Sequence, residues 1–141
     1  MNREIKFRGK RIDTGEWVYG DLIENQGRYY IYYATSDTTL ENEDNSIIVL
    51  AEEVDLDTVG QYTGLKDRNG KEIYEGDIVS AWSAGSHCPN GIIKWGKGSC
   101  AFFIGNSKNS LIWHISGDKG RETLEVIGNR WDNPELLEDG K

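Results

Sequence analysis

Three carboxylates stand close together near the middle of the chain, Glu72, Glu75 and Asp77. Acidic groups at this spacing could converge on a divalent ion and give a nuclease-like or hydrolase-like site, provided that they are aimed into a cleft. The surrounding glycines argue for a simpler role. In Glu75-Gly76-Asp77 the glycine marks a bend, and an Asp carboxylate beside it is suited to accept hydrogen bonds from turn amides. A second set of reactive groups, His87, Cys88, Cys100 and His114, has the ligand types of a structural zinc site. It lacks the close Cys-x-x-Cys or His-x-x-x-His pair, and the adjacent His87 and Cys88 would chelate one ion only with strain. The same residues offer a thiol nucleophile and an imidazole base. No motif places them together, and Cys100 lies in an apolar run where an inert thiol is expected. Gly96-Lys97-Gly98-Ser99 lacks the spaced glycine of a phosphate loop and reads as a turn. On these grounds no catalytic residue, metal ligand or cofactor site is assigned, and the chain is expected not to be an enzyme.

The elements that must carry these groups read as strands. Glu4-Ile5-Lys6-Phe7-Arg8 alternates apolar and charged residues, the mark of a half-buried strand. Turn chemistry follows over residues 9–15, and then Glu16 to Ile23, rich in aromatic and β-branched residues, completes a hairpin. Arg28-Tyr29-Tyr30-Ile31-Tyr32-Tyr33 places Tyr29, Ile31 and Tyr33 on one face and Tyr30 and Tyr32 on the other. Both faces are aromatic, and the Tyr30 and Tyr32 face is the predicted interaction surface. Residues 35–46 read as an exposed polar loop, 46–51 as a short strand, 77–82 as a strand and 83–91 as a loop containing Pro89. Further strands are expected at 92–95, 100–104, 111–115 and 124–128. One short helix is expected at the end, with Asn133 as N-cap, Pro134 in the first position and Glu135 near the positive end of the helix dipole, running to about Glu138. Five tryptophans, Trp17, Trp82, Trp95, Trp113 and Trp131, are expected mainly in the core.

Composition narrows the functional classes. Hydrophobic residues make up 37% and charged residues 28% of the 141, enough apolar weight to exclude a disordered chain. No apolar run approaches the roughly 20 residues of a membrane helix. The charged start, MNREIKFRGK, lacks the apolar block of a signal peptide, so a cytoplasmic location is expected. Two cysteines do not make a disulfide framework in a chain of this size. The net charge is −8, and residues 21–60 hold ten acidic groups against one basic, Arg28. A nucleic-acid ligand is disfavoured, because release of phosphate counterions requires a basic face.

Residues 60–79, GQYTGLKDRNGKEIYEGDIV, form the most distinctive stretch. Asn69-Gly70 is a tight-turn signal in which both residues tolerate positive φ, and Glu75-Gly76-Asp77 makes a second bend before Ile78 and Val79. The sequence resembles the YopX family of phage and prophage proteins. The resemblance is carried by Ile5-Lys6-Phe7-Arg8, by Trp17-Val18-Tyr19-Gly20-Asp21-Leu22, and by Val59 to Asp67 with Gly70 to Val79. It continues in Val126-Ile127-Gly128-Asn129 and Asn133-Pro134-Glu135-Leu136-Leu137. It implies a mainly β fold with a barrel-like C-terminal part and an origin in phage genomes or prophage. It supplies no activity, catalytic residue or cofactor, and residues 35–53 and 83–123 match none of its motifs.

The expected architecture is therefore mainly β. It has an N-terminal antiparallel sheet over about residues 1–58, an SH3-like barrel-type half over 59–141 and a short C-terminal helix, in one YopX-like domain. The expected function is non-enzymatic protein binding, through self-assembly as a homo-oligomer or with an unidentified protein partner, without membrane. Two alternatives are a small metal-dependent nuclease or hydrolase, and an acidic antagonist of a host nucleic-acid-binding protein that uses the charge of residues 35–57.

Overall fold

A computed structural model describes residues 4–35, 48–83, 86–96, 101–105, 113–114 and 124–138. Internal contacts divide the chain into two compact units, Glu4–Gln61 and the chain from Tyr62 onward. Sequence reading had set the division three residues earlier, before the central motif.

The N-terminal unit is built on β1 (Phe7–Lys10), β2 (Trp17–Asn25), β3 (Arg28–Thr35) and β4 (Ile48–Val54). These are antiparallel neighbours in the order β4-β3-β2-β1. Ile31 and Val54 are its fully enclosed apolar residues, at 0% and 2% exposure. The first strand begins later than the alternation predicts. Ile5 is 63% exposed and outside β1, while Gly9 and Lys10 extend the strand into the expected turn. Gly9 and Lys10 pair with Val18 and Trp17 of β2, and long-range bonds hold the residues that follow. The amide N–H of Asp55 donates to the carbonyl of Lys10 at 2.9 Å, that of Ile12 to the carbonyl of Glu53 at 3.1 Å, and Arg11 bridges Val54. β4 and the residues that end β1 thus meet, and strand edges left open by sequence alone find hydrogen-bond partners. A single 3-10 turn, Leu56–Thr58, locks the junction. The Asp55 side chain caps it by accepting from Asp57 N–H, and the Thr58 hydroxyl oxygen accepts from Lys10 N–H at 2.8 Å.

The central motif contributes β5 (Gly60–Lys66) and β6 (Glu72–Tyr74) before β7 (Asp77–Ser83). Gly60 and Gln61 pair with β1, and from Tyr62 onward β5 pairs with β6. Tyr62 and Tyr74 face each other across that pair with ring centroids 5.4 Å apart. Gly70 adopts φ +82°, as the Asn-Gly signal requires, whereas Asn69 keeps negative φ.

The C-terminal unit also holds β8 (Ser86–Gly96), β9 (Ala101–Gly105), β10 (Trp113–His114) and β11 (Leu124–Asn129), in the order β10-β9-β8-β7-β11. Its core is Ile73, Val79, Ile93, Ile104 and Leu124, with Phe102 and Val126 packed against it. Ile78 and Val79 are consecutive and both 0% exposed. Successive side chains of a strand point to opposite faces, so β7 is covered on both. The second face lies under the chain end: Trp131 packs against Gly76, and α1 (Glu135–Glu138) packs on β8. The mainly β class and the short C-terminal helix agree with the sequence. Closure of this sheet into an SH3-like barrel is not among the pairings of the described residues. The expected loop 83–91 is corrected, because residues 86–91 belong to β8. Register with β7 shifts there by one residue, Val79↔Gly91 being followed by Ala81↔Cys88. Among the described residues this stretch pairs with β7 alone, and the bulge accommodates Pro89, which has no N–H to donate. The acidic loop 35–46 lies almost wholly outside the described residues.

Candidate functional site

The two enclosed aspartates of the central motif, Asp67 and Asp77, accept from backbone amides. Asp77 is 2% exposed, and its Oδ2 accepts from Tyr74 N–H at 2.7 Å, closing the bend at Gly76. Gly76 itself has φ +91°, and a Cβ there would lie 2.4 Å from the Trp131 ring, so no other residue fits the bend. Glu72 accepts from the Tyr74 hydroxyl at 3.2 Å. A fourth carboxylate, not among the candidates named from the sequence, accepts from three backbone amides. Asp67 is 2% exposed, its Oδ1 accepts from Asn69 N–H at 2.8 Å and Lys71 N–H at 2.9 Å, and its Oδ2 accepts from Val126 N–H at 2.9 Å. The signal was present: an Asp two residues before Asn-Gly is placed to form an Asx turn. The reach to Val126, 59 residues away, has no local signature.

Among the described residues no group of three or more His, Cys, Asp or Glu is gathered to hold a metal ion. His87 and Cys88 stand on β8, and His114 stands on β10, with β9 between them in the strand order. Cys100 lies outside the described residues.

The predicted interaction surface sits on β3. Tyr30 and Tyr32 are half-buried on the face opposite the enclosed Ile31, as the alternation requires. Cross-strand pairing places Ile23 and Glu53 beside Tyr30, and Asp21 and Ala51 beside Tyr32. Tyr19 (46% exposed), Ile23 (39%) and Val49 (62%) extend the apolar area along the same face. Charges of both signs border it. Arg28 lies 3.9 Å from Glu53, and the Tyr30 hydroxyl, then Glu53, hold its guanidinium above the ordinary value. Farther along, the Arg8 and Lys10 cations stack 4.7 and 5.3 Å from the centroid of the Trp17 ring. Among the tryptophans whose side chains are described, none is fully buried as the expected core role would have it. Trp17 and Trp131 are half-buried, and Trp95, edge-on to Phe102, is 45% exposed.

The family model described as YopX protein matches residues 6–138, nearly the whole chain. The chain belongs to the YopX family. Among solved structures, protein EF1440 from Enterococcus faecalis is similar at 24% identity and a TM-score of 0.55, over 95% of this chain and 98% of that one. At that identity the likeness speaks to the fold. No curated protein matches the chain. The YopX blocks named above fall on β1 and β2, on the Asp67 and Asp77 bends, on β11 and on the turn into α1. In that last turn Asn133 departs from expectation. Its Oδ1 accepts from Asn129 N–H at 3.2 Å rather than capping α1, while Asn129 Oδ1 accepts from Trp131 and Asp132 N–H. The blocks at Asp67, Asp77 and Asn133 make bends, and the Tyr30 and Tyr32 strand lies between the β2 block and the central one. Among the described residues no helix is long and apolar enough to cross a membrane.

Proposed function

We propose that this YopX-family chain is a phage or prophage protein of the host cytoplasm that is not an enzyme and works by self-assembly. The contact is made by the outer face of β2, β3 and β4. One observation carries the reading: Tyr30 and Tyr32 lie at the centre of a sheet face on which Tyr19, Ile23 and Val49 are all substantially exposed. Tyrosine is favoured at protein contacts because it offers apolar area and a polar tip with little rotamer freedom to lose. Both charge signs border this face, in Arg28, Glu53 and Asp21, which suits an isologous contact between two copies of one surface. The non-enzymatic reading is supported by the carboxylates at the bends. Asp67 and Asp77 are enclosed and directed at backbone N–H groups rather than at a cleft.

Size-exclusion chromatography with light scattering tests this. The chain is expected to run as an oligomer, and Tyr30→Ser with Tyr32→Ser is expected to yield a monomer with an unchanged circular dichroism spectrum. A wild-type chain that stays strictly monomeric across the accessible concentration range overturns self-assembly. Divalent-ion-dependent hydrolysis that is lost in Glu75→Ala without loss of stability overturns the non-enzymatic reading.

A further inference from the structure

On β8 the residues Asn90, Ile92 and Lys94 alternate onto the face opposite Ile93 and the core. The chain end crosses that face, pinned where the Asn90 side-chain amide donates to the Leu136 carbonyl at 3.0 Å. Beside this contact is a half-open cavity of about 310 Å³, lined by Ile92, Lys94, Arg130 and Leu137. Its walls differ sharply in chemistry. Ile92 is buried and Leu137 half-buried, whereas Lys94 and Arg130 are exposed. Among the described residues neither cation is in an ion pair; Arg130 instead stacks 5.4 Å from the Trp131 ring centroid. Two cations that have no carboxylate partner among the described residues, at the mouth of an apolar hollow, are unexpected in a chain of net charge −8.

We propose that this cavity binds a small amphipathic anion. A carboxylate or phosphate group is held by Lys94 and Arg130, and a compact apolar body lies against Ile92 and Leu137. The volume stands at the lower end of ligand pockets, which are mostly apolar with a few polar groups that fix orientation. The Arg130 guanidinium presents parallel N–H donors that match two oxygens of either head group, and Lys94 adds a point charge. Because the cavity is half-open, the far end of a longer ligand stays in solvent. This site belongs to the C-terminal unit and stands independently of the sheet face of the N-terminal unit.

The test uses the full chain, labelled with nitrogen-15, and four probes: inorganic phosphate, phenyl phosphate, benzoate and benzyl alcohol. Phenyl phosphate or benzoate is expected to shift the amides of residues 92–94, 128–131 and 136–137. Either should bind at least about tenfold more tightly than benzyl alcohol or inorganic phosphate, the effect of one charge-assisted bond or of a buried ring. The tighter of the two identifies the head group. Lys94→Ala and Arg130→Ala should each weaken binding by about tenfold, Arg130→Lys by less, and the exposed Lys66→Ala not at all. Benzyl alcohol binding as well as benzoate, inorganic phosphate binding as well as phenyl phosphate, shifts that avoid these residues, or affinities unchanged in both Ala variants would each overturn the assignment.

Discussion

Asp67→Ala removes the acceptor of three backbone N–H groups at once. Each hydrogen bond to a charged group contributes about 1.5–3 kcal/mol, and three at the lower figure total about 4.5 kcal/mol. Asn69 and Lys71 lie in an exposed turn where water can replace the carboxylate, while Val126 is half-buried within β11 and lacks that alternative. Discounting the turn side leaves about 3 kcal/mol, or about 10 °C in melting temperature for a chain of this length. Asp67→Asn should recover part of this, because its single oxygen can serve the turn while its NH2 group opposes Val126 N–H. Urea unfolding followed by tryptophan fluorescence measures the loss. Native-state hydrogen exchange places it, with Val126 and Lys71 losing the most protection. Glu125→Ala is the control, because Glu125 makes only a 3.4 Å contact with the Asn69 side chain. If Asp67→Ala lies within about 0.5 kcal/mol of wild type, in the range of neutral surface changes, the carboxylate does not hold this corner and the reasoning fails.

Five other substitutions probe separate parts of the fold. Gly76→Ala combines a left-handed backbone with a methyl group forced against the Trp131 ring and should cost about 3 kcal/mol. Gly15→Ala, at φ +75° with nothing within 4 Å, should cost about 1 kcal/mol by thermal melts. In the N-terminal unit, Ile31→Ala should lose about 3 kcal/mol in urea, whereas Tyr32→Ser, on the opposite face of the same strand, should stay within about 1 kcal/mol. The two-bond contact of the Arg11 guanidinium with Asp13, at 2.8 and 3.0 Å, holds that carboxyl below its ordinary value. Its folded-state pKa being the lower one, the stabilisation is present at neutral pH and is lost as pH falls through that depressed value. A carbon-13 NMR titration of Asp13 should move back to the ordinary carboxylate range in Arg11→Gln.

The parts of the fold legible in the sequence were those written in local pattern. Alternation around Ile31 assigned the two faces of β3, Gly70 and Gly76 fell at the bends where their positive φ is needed, and Pro134-Glu135 marked the start of the terminal helix. What was hidden depends on distant partners. Gly9 and Lys10 have turn chemistry, yet they pair with Val18 and Trp17 in the hairpin, and the Lys10 carbonyl accepts from Asp55 N–H more than forty positions away. Pro89 looked like a loop signal because a bulge beside an unpaired strand edge accepts proline as readily as a loop does. Trp95 looked like core because burial of a large ring is the common outcome, yet nothing local told which side of β8 stays open. At the candidate sites, Tyr30 and Tyr32 were readable as one face. Lys94 and Arg130 were not, since 36 residues separate them and only the path of the chain end brings them together.

The double burial of β7 has a consequence for how the protein emerges from the ribosome. Ile78 and Ile92 are synthesised well before Trp131 and Leu137, which shield their side of the sheet. Until those late residues clear the exit tunnel, the nascent C-terminal unit displays a naked hydrophobic surface, the kind of transient exposure that recruits chaperones and seeds misassembly. Docking of Trp131 and Leu137, rather than pairing of β7 with β8, then becomes the step that commits this unit to its native state.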